Sequence, residues 1–242
     1  MHGLAELGAR RRRRALAATA ALAGVVVVAL AIATPSQAAT RECFLLANCT
    51  PVIGPWVVVP ALDSPPVPAD VTVGCPDSDD LLLAVGSDYE LAGAGTPPPD
   101  VTRFMPGPGI GLINGGNAFF FAISMSHTAA SFRPHVGCVP QPGGQPATAG
   151  QSGSDRVRTR EVALHPSRTT KAGHHCRPGE RLVRGSAGVL FHRDRPPTAR
   201  ELRDVDVTHR HGKARVRARV RTGASVGDRE RVTLQILAVC VR

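Results

Sequence analysis

Six cysteines divide this chain into one short loop and two long segments of nearly equal size. Cys75 and Cys138 are 63 residues apart, and Cys176 and Cys240 are 64 residues apart. An even number of cysteines is typical of disulfide-bonded proteins from oxidising compartments. Many pairings of six cysteines are possible, but the equal spacing favours one long-range disulfide in each segment, Cys75–Cys138 and Cys176–Cys240. Cys43 and Cys49 then form a small terminal loop, since their spacing and the lack of a nearby histidine are poor for zinc.

The first part of the chain has the pattern of an export signal. Five arginines, Arg10 to Arg14, precede an apolar stretch from Ala15 to Ala33, and Ser36-Gln37-Ala38 supplies the small residues of a cleavage site. We therefore expect a signal peptide over 1–38 and a mature protein that is secreted or associated with the cell envelope. The alternative is an uncleaved leader that stays as a membrane anchor, because the apolar stretch is almost long enough to span a bilayer.

The remainder of the chain predicts short strands. Runs rich in β-branched residues, such as Trp56–Val59, alternate with stretches rich in proline and glycine. Residues 141–154 contain almost no large apolar groups, which is typical of a flexible linker. The expected fold class is all-β, with two small disulfide-stapled β-sandwich-like domains after an N-terminal signal helix. The expected boundaries are 39–140 for the first domain with its N-terminal extension and 155–242 for the second, basic domain.

One hairpin is predicted at residue level in the second segment. Apolar and polar side chains alternate over Asp204–Arg210 and over Ala214–Arg221, and His211-Gly212 between them is the predicted turn. This turn would place apolar groups opposite one another on one face and acids opposite arginines on the other. The predicted pairs are Val207 with Val216, Val205 with Ala218, Asp206 with Arg217, and Asp204 with Arg219.

Both segments share a loose motif around their cysteines. The second segment contains Cys176, Pro178, Gly179, Leu182, Gly185 and Ser186, and ends in Ala238, Val239 and Cys240; the first contains Cys75, Pro76, Gly86, Ser87 and Cys138. This pattern resembles a duplicated, Cys-bracketed small β module of uncharacterised exported proteins from GC-rich bacteria. The resemblance implies a small disulfide-closed β domain and adds no catalytic residue.

Charge is distributed unevenly between the segments. Residues 39–150 carry 3 Lys+Arg against 9 Asp+Glu, a net charge of −6, whereas residues 151–242 carry 21 against 9, a net charge of +12. Docking of the two segments on each other is one expected consequence, and attraction of the second segment to polyanions is another. Alternate positions of the predicted hairpin strand form a candidate polyanion-binding row: Arg215, Arg217, Arg219 and Arg221. The alternative is a solvated strand face that nearby acids partly neutralise.

Other candidate sites have weaker patterns. His209 and His211 fall on one side of the predicted strand, and His174-His175 precede a cysteine, but an obvious third metal ligand is lacking. The acidic turn Asp77, Asp79 and Asp80 lacks the spaced ligands of a helix-loop-helix calcium site. We therefore expect neither a metal nor another cofactor.

The sequence contains no recognised catalytic motif, neither a nucleophile elbow nor a phosphate-binding loop. The second segment has Phe191 as its single aromatic residue, which disfavours specific nucleic-acid binding by base stacking. The expected function is that of an exported, non-catalytic binding or structural module, with an anionic cell-envelope polymer or another secreted protein as partner. The alternatives are a polyanion-binding protein that uses the Arg-rich second segment, and an extracellular hydrolase whose site has no sequence signature.

Overall fold

The structure is a computed structural model that describes Cys43 and residues 49–62, 67–76, 81–93, 95–104, 112–113, 117–140, 156–226 and 231–242. The predicted signal peptide, the predicted linker 141–154 and the acidic turn at Asp77, Asp79 and Asp80 lie outside the described residues. Among the residues that are described, no helix is both long and apolar enough to cross a bilayer. All the described strands belong to one compact unit, Thr40–Arg242.

The described chain is almost entirely β-structure, which confirms the predicted fold class. The first segment contributes β1 (Thr50–Ile53), β2 (Trp56–Val59), β3 (Ala69–Gly74), β4 (Leu81–Ala92), β5 (Asp100–Phe104), β6 (Leu112–Ile113), β7 (Asn117–Ile123) and β8 (Ala130–Val139). The second contributes β9 (Arg156–Ala163), β10 (Thr169–His175), β11 (Arg181–Phe191), the short helix α1 (Ala199–Arg203), β12 (Val205–His211), β13 (Arg215–Thr222) and β14 (Val232–Val241).

These strands form one large sheet and two small ones. The large sheet has eight strands in the order β6-β4-β8-β2-β11-β14-β9, with β1 also paired to β8. The small sheets have the orders β3-β7-β5 and β10-β13-β12. In each segment, the strand after the first long-range cysteine pairs antiparallel with the strand that contains the second: β4 with β8, and β11 with β14.

The large sheet is the middle layer of three. Trp56 and Val58 of β2 belong to one buried core together with residues of β12 and β13, whereas Val57 and Val59 belong to a second core with residues of β3 and β7. Successive side chains of a strand point to opposite faces, so the two cores lie on opposite sides of the large sheet. This explains why all four residues of β2 are apolar and buried.

The two cysteine-bracketed segments meet directly in the middle layer. Strand β2 of the first segment pairs antiparallel with β11 of the second, through Val57 with Leu190 and Trp56 with Phe191. Opposite charges also join the segments, since Arg184 of β11 pairs with Asp70 of β3. The expected docking of the acidic first segment on the basic second segment thus includes a shared sheet and an ion pair.

The disulfide pairing agrees with the cysteine spacing. The three disulfides are Cys43–Cys49, Cys75–Cys138 and Cys176–Cys240. Cys138 and Cys240 are fully buried, one in each core. Each long-range disulfide closes a loop of more than 60 residues, which by loop-closure entropy destabilises the unfolded chain by about 4 kcal/mol. Disulfides of this kind indicate an oxidising environment.

The helix α1 is fixed by a capping box and a buried ion pair. The Thr198 hydroxyl oxygen accepts a hydrogen bond from the Glu201 backbone N–H, while the Glu201 carboxylate accepts one from the Thr198 backbone N–H. Arg193 donates to both carboxylate oxygens of Glu201 at 2.7 and 2.8 Å. Burial raises the pKa of Glu201, but the hydrogen bonds from Arg193 and Thr198 outweigh it and lower the pKa overall.

Candidate functional site

Strand β13 presents a row of arginines to the outside of the molecule. Its residues alternate without exception between exposed and buried, so that Arg215, Arg217, Arg219 and Arg221 face outward while the residues between them face the core. β13 is the central strand of its sheet, so its backbone is paired on both edges, with β10 and with β12. Arginines two residues apart along a strand are separated by roughly 7 Å. The sequence prediction of a one-sided arginine row is confirmed.

The predicted hairpin register is wrong by four residues. The structure pairs Val207 with Val220 and Asp206 with Arg221, whereas the sequence analysis paired them with Val216 and Arg217. The turn lies at Lys213-Ala214 instead of His211-Gly212, and the Gly212 N–H donates to the Arg215 carbonyl across it. Moving a turn by two residues shifts the register by four, an even number, so the same side chains stay on the buried face.

The corrected register changes the charge on the outer face. Arg217 lies between Arg210 of β12 and Gly173 of β10, and Arg219 lies between Thr208 and Lys171. The acidic partners predicted for these two arginines are therefore absent from the positions opposite them, and Asp206 instead faces Arg221 at the end of the row. We call the outward set Lys171, Arg210, Arg215, Arg217, Arg219 and Arg221 the basic face.

Asp204, the other predicted partner, is used elsewhere. It forms the C-cap of α1, and its carboxylate accepts hydrogen bonds from the backbone N–H and the hydroxyl of Ser225. These hydrogen bonds lower the pKa of Asp204. Its charge therefore fastens the loop after β13 to the helix and does not neutralise Arg219.

The basic face lacks ion-pair partners within the described part of the chain. No described carboxylate lies within 4.0 Å of a side-chain nitrogen of the basic face. Arginines elsewhere do have such partners, as in Arg158 with Glu180 at 2.9 Å and Arg231 with Glu161 at 3.5 Å. Like charges on adjacent strands destabilise a sheet. The basic face is therefore a concentrated positive surface whose repulsion an external anion would relieve.

A shallow groove of about 910 Å³ runs over the basic face. Arg160 of β9 extends its rim and donates a hydrogen bond to the Gly173 carbonyl at 2.9 Å. The groove lining, as far as the structure describes it, includes no Phe, Tyr or Trp. Stacking of bases or sugar rings is thus disfavoured here, and recognition would depend on charge. The sequence did not single out Lys171 and Arg210, which only the strand register places beside β13, or Arg160, which reaches the groove from β9.

The candidate histidines are not assembled into a metal centre. His209 lies opposite Ala218, and both His174 and His211 lie opposite Val216 on either side of β13. Among the described residues, the one group with metal-ligand geometry is Cys176, Glu180 and Cys240, and its two cysteines are joined in a disulfide. Burial lowers the pKa of His174 and of His209. These imidazoles are accordingly neutral at pH 7.

A second groove lies where the two segments meet. Its volume is about 710 Å³, and it follows β11 at residues 183–186, next to β3 and β12. Among the described residues, β11 pairs with β2 at Leu190 and Phe191 alone, so the earlier part of β11 has a free edge at this point. We name it the Ser186 groove and define it by Asp70, Phe121, Arg184, Ser186, His209 and His211.

A fixed ion pair forms one wall of the Ser186 groove. Arg184 donates three hydrogen bonds of 3.0 to 3.2 Å to the two carboxylate oxygens of Asp70. The Asp70 side chain is 3% exposed and that of Arg184 is 47% exposed. The guanidinium also lies 5.0 Å from the centre of the Phe121 ring. The wall is thus rigid and carries no net charge.

Comparison of the chain with protein-family models, with curated proteins and with solved structures finds no match.

Proposed function

We propose that this chain is an exported, non-catalytic binding protein that holds an anionic polymer of the cell envelope on the basic face. The observation that supports the proposal is the row of outward arginines on β13, flanked by Lys171 and Arg210, with Asp206 opposite Arg221 as the one carboxylate at a paired strand position among the described residues. The three disulfides and the predicted leader fit a protein that works outside the cytoplasm.

The geometry favours a linear polymer over a small anion. The arginines of β13 occupy alternate positions along one strand, so that repeated charges of a polymer can contact them in series. Guanidinium groups bind phosphate, sulfate and carboxylate with paired hydrogen bonds, which suits phosphodiester or uronic-acid polymers. A groove without aromatic residues in its described lining has no means of reading bases, so binding would follow charge density.

The test compares two charge-matched double variants of the disulfide-bonded chain on immobilised dextran sulfate. Arg217→Gln with Arg219→Gln removes two charges from the basic face. The control, Arg200→Gln with Arg242→Gln, removes two exposed arginines outside the basic-face groove. We expect the first variant to elute at clearly lower salt than wild type and the control to elute close to wild type.

The salt dependence gives a quantitative readout. Each polymer charge that an arginine neutralises releases counterions, so the loss of two contacts should lower the slope of log K against log salt by about 1.5. Equal elution of the two double variants would contradict the proposal, because binding would then reflect net charge and not the basic face.

A further inference from the structure

The Ser186 groove contains two buried polar atoms without a partner. Ser186 is 2% exposed, and its hydroxyl has no hydrogen-bond partner among the described residues. The Nδ1 atom of His209 is also buried and unbonded there. Buried polar atoms are nearly always hydrogen-bonded in folded proteins, because leaving one unpaired is costly. Both residues line the same cavity, so a molecule bound there is a candidate partner for these two atoms.

The direction of the Ser186 side chain follows from the strand. A side chain at Gly185 would collide with Val216 in the core that β2 shares with β12 and β13, since an added Cβ would lie 2.2 Å from a Val216 methyl carbon. A side chain at Gly188 would instead meet the Asp70 carbonyl of β3. Alternation therefore turns Ser186 toward β3 and the groove, on the same side as Arg184 and away from the core that contains Val216.

The polar groups of the groove are neutral overall. Asp70 compensates the charge of Arg184. Burial lowers the pKa of His209, and His211 lowers it further, while Asp70 opposes the shift in part. A neutral imidazole has one donor and one acceptor nitrogen. The groove thus offers hydroxyl and imidazole atoms without a net charge, which is the opposite of the basic face.

Apart from Thr102, the remaining side chains of the lining are apolar, and the groove has the size of a small-molecule site. Val67, Pro68 and Val183 contribute apolar surface beside the Phe121 ring. A volume of about 710 Å³ is within the range of small-ligand pockets. Apolar walls with a few placed polar groups suit a ligand that has both C–H surface and hydroxyl groups. A hydroxyl can donate and accept, so it satisfies Ser186 and His209 in either tautomer of the imidazole.

We infer that the Ser186 groove is a binding site for a neutral saccharide of one or two rings. Ser186 and His209 bond its hydroxyl groups, and Phe121 with its apolar neighbours contacts the C–H face of a ring. The Asp70–Arg184 pair holds β3 and β11 at the distance that the groove requires. Arg184 and Ser186 line this groove and not the groove over the basic face, whereas His209 and His211 line both.

The test follows the His209 ring by NMR in the full disulfide-bonded chain with isotope-labelled histidine. The probes are glucose, N-acetylglucosamine, cellobiose and N,N′-diacetylchitobiose, each titrated to 50 mM. We expect saturable shifts of the His209 ring signals with at least one probe. Ser186→Ala should weaken that binding about fivefold, the effect of one lost neutral hydrogen bond, and should raise the melting temperature because it removes an unpaired buried hydroxyl.

Two controls separate binding from folding. Ser131→Ala removes another buried serine, whose hydroxyl bonds the Ala92 carbonyl outside the groove, and should lower the melting temperature without changing saccharide binding. His209→Gln, followed through the ring signals of His211 in the same groove, should weaken binding in the same way as Ser186→Ala. Absence of a His209 shift with all four probes would overturn the inference and leave ordered water as the partner. Unchanged affinity in Ser186→Ala would overturn it as well.

The outcome is distinguishable from that of the polyanion proposal. Arg217→Gln with Arg219→Gln should lose retention on dextran sulfate and keep the His209 shifts, whereas Ser186→Ala should keep retention and lose affinity for the saccharide.

Discussion

The ion pair between Arg184 and Asp70 predicts an asymmetric response to mutation. Asp70 is 3% exposed, so Arg184→Met would leave a carboxylate buried without its counter-charge. Arg184 is 47% exposed, so Asp70→Asn would leave a guanidinium that water can still reach. The two substitutions break the same contact, yet the first should cost much more stability than the second.

The magnitude follows from the burial of each partner. Leaving a buried charge without its partner costs about 3–5 kcal/mol. Because the Arg184 side chain that is removed is half exposed, we place the cost of Arg184→Met near the lower end, at about 3 kcal/mol. Asp70→Asn should cost about 1 kcal/mol, the value of a weakened hydrogen bond. In a domain of this size, 3 kcal/mol corresponds to a fall of the melting temperature by about 6–12 °C. The double variant should lose less than the sum of the two single losses.

Urea unfolding with intact disulfides measures these differences. Trp56 is the single tryptophan and is buried where β2 meets β11, so its fluorescence reports on the region that joins the segments. Arg231→Met is the matched control, because its pair with Glu161 is exposed and should be worth less than about 1 kcal/mol. An Arg184→Met loss no larger than that of Arg231→Met, or smaller than that of Asp70→Asn, would refute the reasoning.

Two further predictions concern packing and pH. An added Cβ at Gly188 would lie 2.7 Å from the Asp70 carbonyl oxygen, so Gly188→Ala should lower the free energy of unfolding in urea by about 1–3 kcal/mol. Gly212 is in open space, so Gly212→Ala should lower it by less than about 0.5 kcal/mol. Similar losses in the two variants would argue against close contact of β11 with β3. Burial lowers the pKa of His174, His192 and His209 from the ordinary 6.5, so the unfolded chain binds more protons as the pH falls through that value. Stability should therefore be complete well above pH 6.5 and decrease as the pH falls through 6.5 toward 5.5. A urea midpoint that stays constant or rises over this range would contradict the second prediction.

The alternation of side chains was the most informative local signal for the site. It placed the arginines of β13 on one face correctly, because the period of a strand depends on backbone geometry alone. It could not set the register, since several turns near Gly212 are compatible with the same alternation. As a result the acids expected opposite Arg217 and Arg219 lie elsewhere, and the face is more basic than the sequence analysis predicted.

The Ser186 groove had no signal in the sequence. Ser186 stood out there as part of a shared Gly-Ser step, and His209 as a weak metal candidate. Asp70 is 114 residues from Arg184 along the chain, and no local pattern joins them. The groove depends on the free edge of β11, which arises because β2 pairs with only the end of that strand.

The sequence by itself determined the β class, the pairing of the cysteines and the one-sided row of arginines, because each depends on composition, spacing or strand period. Only the tertiary structure decided that the two segments share a central sheet with a core on each face, and that Asp70, Arg184, Ser186 and His209 meet beside it. The physical reason is that strand pairing between distant parts of a chain is selected by the burial of both faces at once, and no short stretch of residues contains that information.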